Sequence, residues 1–197
     1  MSDAVKKDKK KGPLPSTLLN MFIVLTAICT ICSAILAYTF NSTKDQIAVV
    51  GIQKTQKAFL DVITGFDNNP LDTKVSSTAD PLVNVYTAKQ GDKLLGWAVE
   101  SYSDKGYGGR IRIMFGISAD GALQGIQVLS HTETPGLGTK MTSRLFQKQF
   151  FGKNINEAVA VKKDGGTIDA ISAATISSRA FCDAVTRAFV AIKEIRL

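Results

Sequence analysis

"RIRIMFGISADGALQGIQVLS", Arg110 to Ser130, holds two runs of alternating residues joined by Asp120-Gly121. In the first run Arg110 and Arg112 alternate with Ile111 and Ile113. A period of two puts apolar side chains on one face of a sheet, and Asp-Gly suits a tight turn. The stretch therefore predicts an antiparallel hairpin. Upstream, "LLGWAVES" (Leu94 to Ser101) alternates in the same way, and downstream "AVAVKK" (Ala158 to Lys163) is a further strand candidate before an Asp164-Gly165-Gly166 turn.

Helical patterns flank these strands. Between Ser177 and Ile195, Phe181, Ala184, Val185, Ala188, Phe189, Ile192 and Ile195 recur at steps of three and four, the stripe of a helix packed on a core. Ser177 or Ser178 is placed to cap it. Thr142 to Phe150 is a short helical candidate. "STKDQIAVVGIQKTQKAFLDVITGF" (Ser42 to Phe66) reads as another helix, with Ile47, Val50, Ile52, Phe59, Val62 and Ile63 roughly on one side. Asp67 to Pro81 is a loop by its Asn, Ser, Thr, Asp and Pro content. The order predicts an α+β domain with a mainly antiparallel sheet and flanking helices.

The N-terminal region is of another kind. No charged residue occurs from Gly12 to Thr43, and Leu18 to Tyr38 is almost continuously apolar. As a helix that stretch reaches about 30 Å, the thickness of a bilayer's hydrocarbon core. It is longer than the apolar region of a signal peptide and ends in Tyr38 and Phe40, which favours a retained anchor. Lys6, Lys7, Lys9, Lys10 and Lys11 precede it, whereas Asn41 to Gly51 carries only Lys44 and Asp45. The positive-inside rule then puts the N-terminus in the cytoplasm and exports the rest, in a bacterium to the periplasm. The expected organisation is a cytoplasmic tail (1–13), a transmembrane helix (14–40), an exported helix and linker (41–80) and a folded domain (81–197). The 197 residues carry a net charge of +7, but part of it is this local lysine run, which argues against a nucleic-acid partner.

Enzymatic options narrow quickly. His131 is the only histidine, so a poly-histidine metal site is excluded, and neither a G-x-S-x-G elbow nor a phosphate-loop lysine motif occurs. Cys29 and Cys32 lie mid-span, where they read as small hydrophobes rather than a redox pair; Cys182 stands alone and is expected to be buried. Three blocks remain. "GYGGRI" (Gly106 to Ile111) is a turn before a strand. "HTETPGLG" (His131 to Gly138) is either a plain strand-to-helix connection or a shaped loop with accessible backbone groups. "DAISAATISSRAF" (Asp169 to Phe181) crowds Ser172, Thr175, Ser177 and Ser178 just ahead of a helix, either as caps or as an anion site at the helix N-terminus.

Together these blocks resemble the FMN-binding domain family found in the G subunit of the Rnf electron-transport complex and the C subunit of the sodium-pumping NADH:quinone reductase. "DAISAATISS" is similar to that family's attachment motif, Asp-x-[Ile/Val]-Ser-Gly-Ala-Thr-x-Thr-Ser, with Ala173 where the motif has Gly and Ser177 where it has its second Thr. The short chain favours the Rnf protein over its reductase counterpart. The resemblance implies FMN joined covalently through its phosphate to Thr175, beside Ser172, Ala174, Ser177 and Ser178. It also implies a flavin held by the "TPGLG" loop, with the backbone amides of Gly136, Leu137 and Gly138 on the ring and His131, Glu133, Thr134 and Tyr107 nearby. No metal and no catalytic residue are expected. The implied role is an electron relay in a redox-driven ion translocase coupling ferredoxin and NAD, without turnover of its own. Implied partners are the membrane, the complex's other subunits and a flavin transferase. Two alternatives stand beside it: a subunit of such a complex serving structure or assembly without flavin, and, more remotely, a hydrolase using His131 and Glu133.

Overall fold

The computed structural model describes residues 17–196; the expected tail and the first residues of the expected span, 14–16, lie outside them. The chain divides into two compact units between Val50 and Gly51. Helix α1 (Leu18–Val62) runs through that boundary. Within the first unit, Leu18–Lys44 is apolar and long enough to cross a membrane, with a mean hydropathy of 2.3 and none of it buried in the protein. Two of its hydroxyls are matched internally: those of Thr30 and Thr39 donate to the carbonyls of Thr26 and Ile35 at 2.8 and 2.9 Å. A hydroxyl bonded to the preceding turn costs little in an apolar surround.

The second unit is an α+β domain around one antiparallel sheet of five strands: β1 (Val75–Ser76), β2 (Asn84–Gln90), β3 (Lys93–Gly106), β4 (Gly109–Ser118) and β5 (Leu123–Ser130). Each strand pairs with the next in sequence. The Arg110–Ser130 hairpin forms as its alternation predicts, turning at Gly121. Strand β2 carries no predictive alternation of comparable length; it is drafted by pairing with β3. "AVAVKK" makes no strand. Val161 forms a single parallel bridge to Ile168, and a 3₁₀ turn, Lys162–Asp164, follows at once.

Period-two alternation separates two cores. Trp97, Val99, Ile111, Ile113, Phe115 and Ile117 face helix α3 (Thr175–Arg196), which buries Phe181, Ala184, Val185, Ala188, Phe189 and Ile192 against them. Tyr86, Ala98 and Met114 face the other way and meet Ala58, Phe59 and Val62 from the end of α1, with Ile63 just after it. Ile47 and Val50, expected on that apolar side, are exposed. Gly116 and Gly125 pair across β4 and β5, and a Cβ on either would lie 2.1 or 2.3 Å from the Val62 carbonyl oxygen. Those glycines let the last turn of α1 sit directly on the sheet.

Polar ties register α3 on β3. The Ser101 hydroxyl donates to the Ala184 carbonyl at 2.8 Å, and Asp183 accepts from Ser103 at 2.8 Å, Lys105 at 2.6 Å and Arg187 at 3.1 Å. Partial burial acts to raise the Asp183 carboxyl, but these three donors outweigh it and hold it below the usual carboxylate range. Cys182 is buried as expected, and burial, reinforced by Asp164, pushes its thiol up to about 12. A carboxyl depressed in the folded state contributes stability above its unfolded pKa and loses it as pH falls through the folded value. Urea titrations should therefore show stability declining below about pH 4, with a shallower decline in Asp183→Asn.

Candidate functional site

The three sequence blocks converge at the end of the sheet where α3 begins. The turn between β3 and β4 contributes Tyr107, the loop after β5 contributes Glu133, Thr134, Leu137 and Gly138, and the start of α3 contributes Ala173, Ala174, Thr175, Ile176 and Ser177. They enclose an open cavity of about 550 Å³. That volume lies within the range of small-molecule and cofactor sites.

One side chain ties the three blocks together. Glu133 is only 4% exposed. Its Oε2 accepts the Ser177 hydroxyl at 2.6 Å, and its Oε1 accepts the Gly108 N–H at 3.1 Å. Next to it, the Thr132 hydroxyl donates to the Gly108 carbonyl at 2.5 Å. The approach is too close for side chains at two glycines: a Cβ on Gly138 would lie 2.4 Å from Glu133 Oε2, and one on Gly108 would lie 2.1 Å from the Thr132 carbonyl oxygen. These glycines are demanded by the packing around Glu133.

The four crowded hydroxyls have different fates. Helix α3 begins at Thr175, so Ser177 and Ser178 lie inside its first turn and neither is the predicted cap. The buried Ser178 hydroxyl accepts from the Ile171 N–H at 2.9 Å and donates to the Ala174 carbonyl at 3.0 Å, closing the turn that leads into the helix. Ser177 is committed to Glu133. Ser172 is exposed and outside the cavity wall. Thr175 is half-buried, lines the cavity and, among the described residues, makes no side-chain hydrogen bond. The helical ladder opens with the Ser178 N–H on the Ala174 carbonyl at 3.1 Å, so the amides of Thr175, Ile176 and Ser177 precede it. Unpaired first-turn amides and the helix dipole favour an anion there. A free hydroxyl at such a terminus, beside a cavity of this size, fits a phosphate-bearing organic cofactor.

Two expectations change at the glycine-shaped loop. The Gly136 N–H donates to the Thr139 hydroxyl at 2.9 Å and the Leu137 N–H to the Thr134 carbonyl at 3.2 Å, so both amides are spent on closing the loop. Only Gly138, of the three, keeps an amide without a protein acceptor among the described residues. His131 and Gly136 do not line the cavity; His131 Nδ1 instead accepts the Glu133 N–H at 3.3 Å, bracing the loop from behind. Ile176 and Ala173 line the cavity although neither was expected there from the sequence. The signal available for Ile176 was a large apolar residue directly after Thr175, at a position that leaves the core stripe.

Ala173 has φ +60°, the only non-glycine positive φ among the described residues. This is the left-handed region, where a Cβ crowds the following carbonyl at a cost of about 1–2 kcal/mol. Alanine is therefore strained at this position, where the motif that the sequence resembles has glycine. Ala173→Gly should raise stability by about 1 kcal/mol, read as a higher denaturation midpoint. Glu133→Ala should do the opposite. It strands the buried Ser177 hydroxyl and the Gly108 N–H and should cost about 2 kcal/mol or more in the same titration.

Residues 106–190 match the family model of the FMN-binding domain. The G subunit of an ion-translocating oxidoreductase complex from Haemophilus influenzae (strain ATCC 51907 / DSM 11121 / KW20 / Rd) is 36% identical over 176 residues, covering 84% of this chain and 85% of that relative. Its counterpart from Erwinia tasmaniensis is 35% identical over 209 residues, covering 99% of this chain and 93% of the relative. Among solved structures, Shewanella oneidensis NqrC superposes with a TM-score of 0.46 at 25% identity, over 61% of this chain and 64% of that one. On the identity and span of those relatives, the chain belongs to the family of G subunits of Rnf-type ion-translocating oxidoreductases.

Proposed function

We propose that the chain is a membrane-anchored flavoprotein carrying FMN as a phosphoester of Thr175, and that it relays electrons within an ion-translocating ferredoxin:NAD oxidoreductase. The observation that carries the reading is the hydroxyl of Thr175. Of the four hydroxyls in its motif, it alone both lines the cavity and is uncommitted to the fold.

FMN, once bound, supplies a ring that takes up and releases electrons one at a time. The chain's own residues do the rest. Thr175 Oγ1 would hold the phosphate as an ester, its oxygen displacing the leaving group at phosphorus of an activated flavin donor, which departs as the hydroxyl proton is lost. The amides of Thr175, Ile176 and Ser177 and the N-terminal end of the α3 dipole would balance the phosphate's negative charge. Tyr107, Leu137 and Ile176 line the cavity and would offer apolar contact to the flavin, and the free Gly138 N–H would be available to it as a donor. Glu133 holds all three segments in register. A covalent tether suits a domain exported to the periplasm, since lost FMN could not be replaced from a cytoplasmic pool. The lysine run before α1 supports that orientation, with the N-terminus in the cytoplasm. A flavin transferase would make the bond. Turnover would belong to the assembled complex rather than to this chain alone.

The competing reading is a subunit without flavin, and the strained Ala173 is the observation in its favour. Thr175→Ala separates the two. Expressed in the native host, the parent chain should show flavin fluorescence that survives denaturing electrophoresis. The variant should lose it entirely, along with the complex's electron transfer. Equal activity with and without Thr175 would favour the scaffold.

A further inference from the structure

The segment that leaves the cavity carries an unbalanced charge that the attachment site does not use. From Thr134 to Asn156 there is no Asp or Glu, but Lys140, Arg144, Lys148 and Lys153 all occur. Lys153 pairs with Glu157 at 3.4 Å. Among the described residues the other three pair with no carboxylate, and all three are exposed. Acids near in sequence or space are already committed: Asp169 to Lys162 at 2.7 Å and Asp164 to Arg179 at 2.7 Å.

The segment is also rigidly presented. It runs as a 3₁₀ helix (Gly138–Thr142), whose first residue is in the cavity wall, and then as α2 (Arg144–Gln147). Met141, Phe146 and Phe150 are buried, and the rings of Phe146 and Phe150 lie 5.3 and 4.8 Å from that of Phe181 on α3. Arg144 stacks on Phe151 at 5.8 Å. Between these anchors Leu145 is left 72% exposed. At the cavity itself Tyr107 is 72%, Ile176 48% and Leu137 41% exposed. The segment that leaves the cavity wall at Gly138 therefore carries three exposed cations without a carboxylate partner and an exposed Leu145, and the cavity's own lining exposes Tyr107, Ile176 and Leu137.

We propose that Lys140, Arg144, Lys148 and Leu145 form the docking surface for an acidic face of a redox partner protein in the complex, which brings that partner to the cavity mouth. The proposal rests on the electron-relay reading above. Encounters that pass electrons use small interfaces in which complementary charge speeds approach and apolar contact at the centre fixes distance. A cationic surface starting at the edge of the flavin cavity meets both needs, and its charge selects a partner rich in Asp and Glu.

The test uses the full chain in native membranes. A carbodiimide joins lysine amines to carboxyls only where they touch. Lys140 and Lys148 should be found coupled to Asp or Glu of another protein, and 0.5 M salt should abolish the coupling. The triple variant Lys140→Glu, Arg144→Glu, Lys148→Glu should keep its gel-resistant flavin fluorescence but slow flavin reduction by NADH about tenfold at low salt. Coupling only within this chain would overturn the proposal, as would an unchanged, salt-independent rate. Salt-sensitive binding of the chain to phosphatidylglycerol vesicles, lost in the variant, would assign the surface to lipid instead. Loss of the flavin on charge reversal would overturn the proposal too, making the surface a recognition face for the attaching enzyme. Absence of flavin from the parent chain, by contrast, would be a failure of the Thr175 reading.

Discussion

The site is organised by the hydrogen bonding of one buried carboxyl group. Glu133 has almost no access to water, so its oxygens must be satisfied from within. They take their donors from the β3–β4 turn and from the first turn of α3. Three segments far apart in sequence are thereby fixed around one point, and Gly108 and Gly138 follow because no side chain fits beside that point. Thr175 stands two residues before Ser177, so the bond that holds the helix start also sets where the Thr175 hydroxyl is presented. The presentation of that hydroxyl is in this sense a by-product of how the carboxyl is buried.

That organisation sorts the hydroxyls by role. Ser178 closes the turn into the helix, Ser177 binds Glu133, and Thr175 lines the cavity with a hydroxyl that makes no hydrogen bond among the described residues. Crowded hydroxyls at a helix start thus have separate fates, two bound into the fold and one facing the cavity. Ala173 belongs to the same turn. Its left-handed backbone brings the chain round so that α3 can begin at Thr175, and alanine bears the strain that glycine would not.

Much of this was legible in the sequence, and the limits have physical causes. Alternation in β3, β4 and β5 reports directly on a half-buried sheet, and the stripe on α3 reports on its packed face, so both were predictable. Strand β2 was not, because its place is set by pairing with β3 rather than by its own pattern. "AVAVKK" looked like a strand because local composition cannot say whether a partner edge exists. At the site, Tyr107, Glu133, Leu137, Gly138 and Thr175 could be selected by motif, whereas the use of the Gly136 and Leu137 amides depends on how the loop closes on itself. The same holds for His131, which the resemblance places near a flavin and whose Nδ1 accepts the Glu133 N–H.

The central claim is that Thr175, and no neighbouring hydroxyl, carries the cofactor. Its most direct test is the intact mass of the chain from native membranes, followed by fragmentation of the proteolytic peptide containing Asp169 to Arg179. A phosphoester at Thr175 predicts a gain equal to FMN less one water, with fragment ions assigning all of it to Thr175. The same gain assigned to Ser172, Ser177 or Ser178, or an unmodified peptide where the flavin transferase is active, would contradict it.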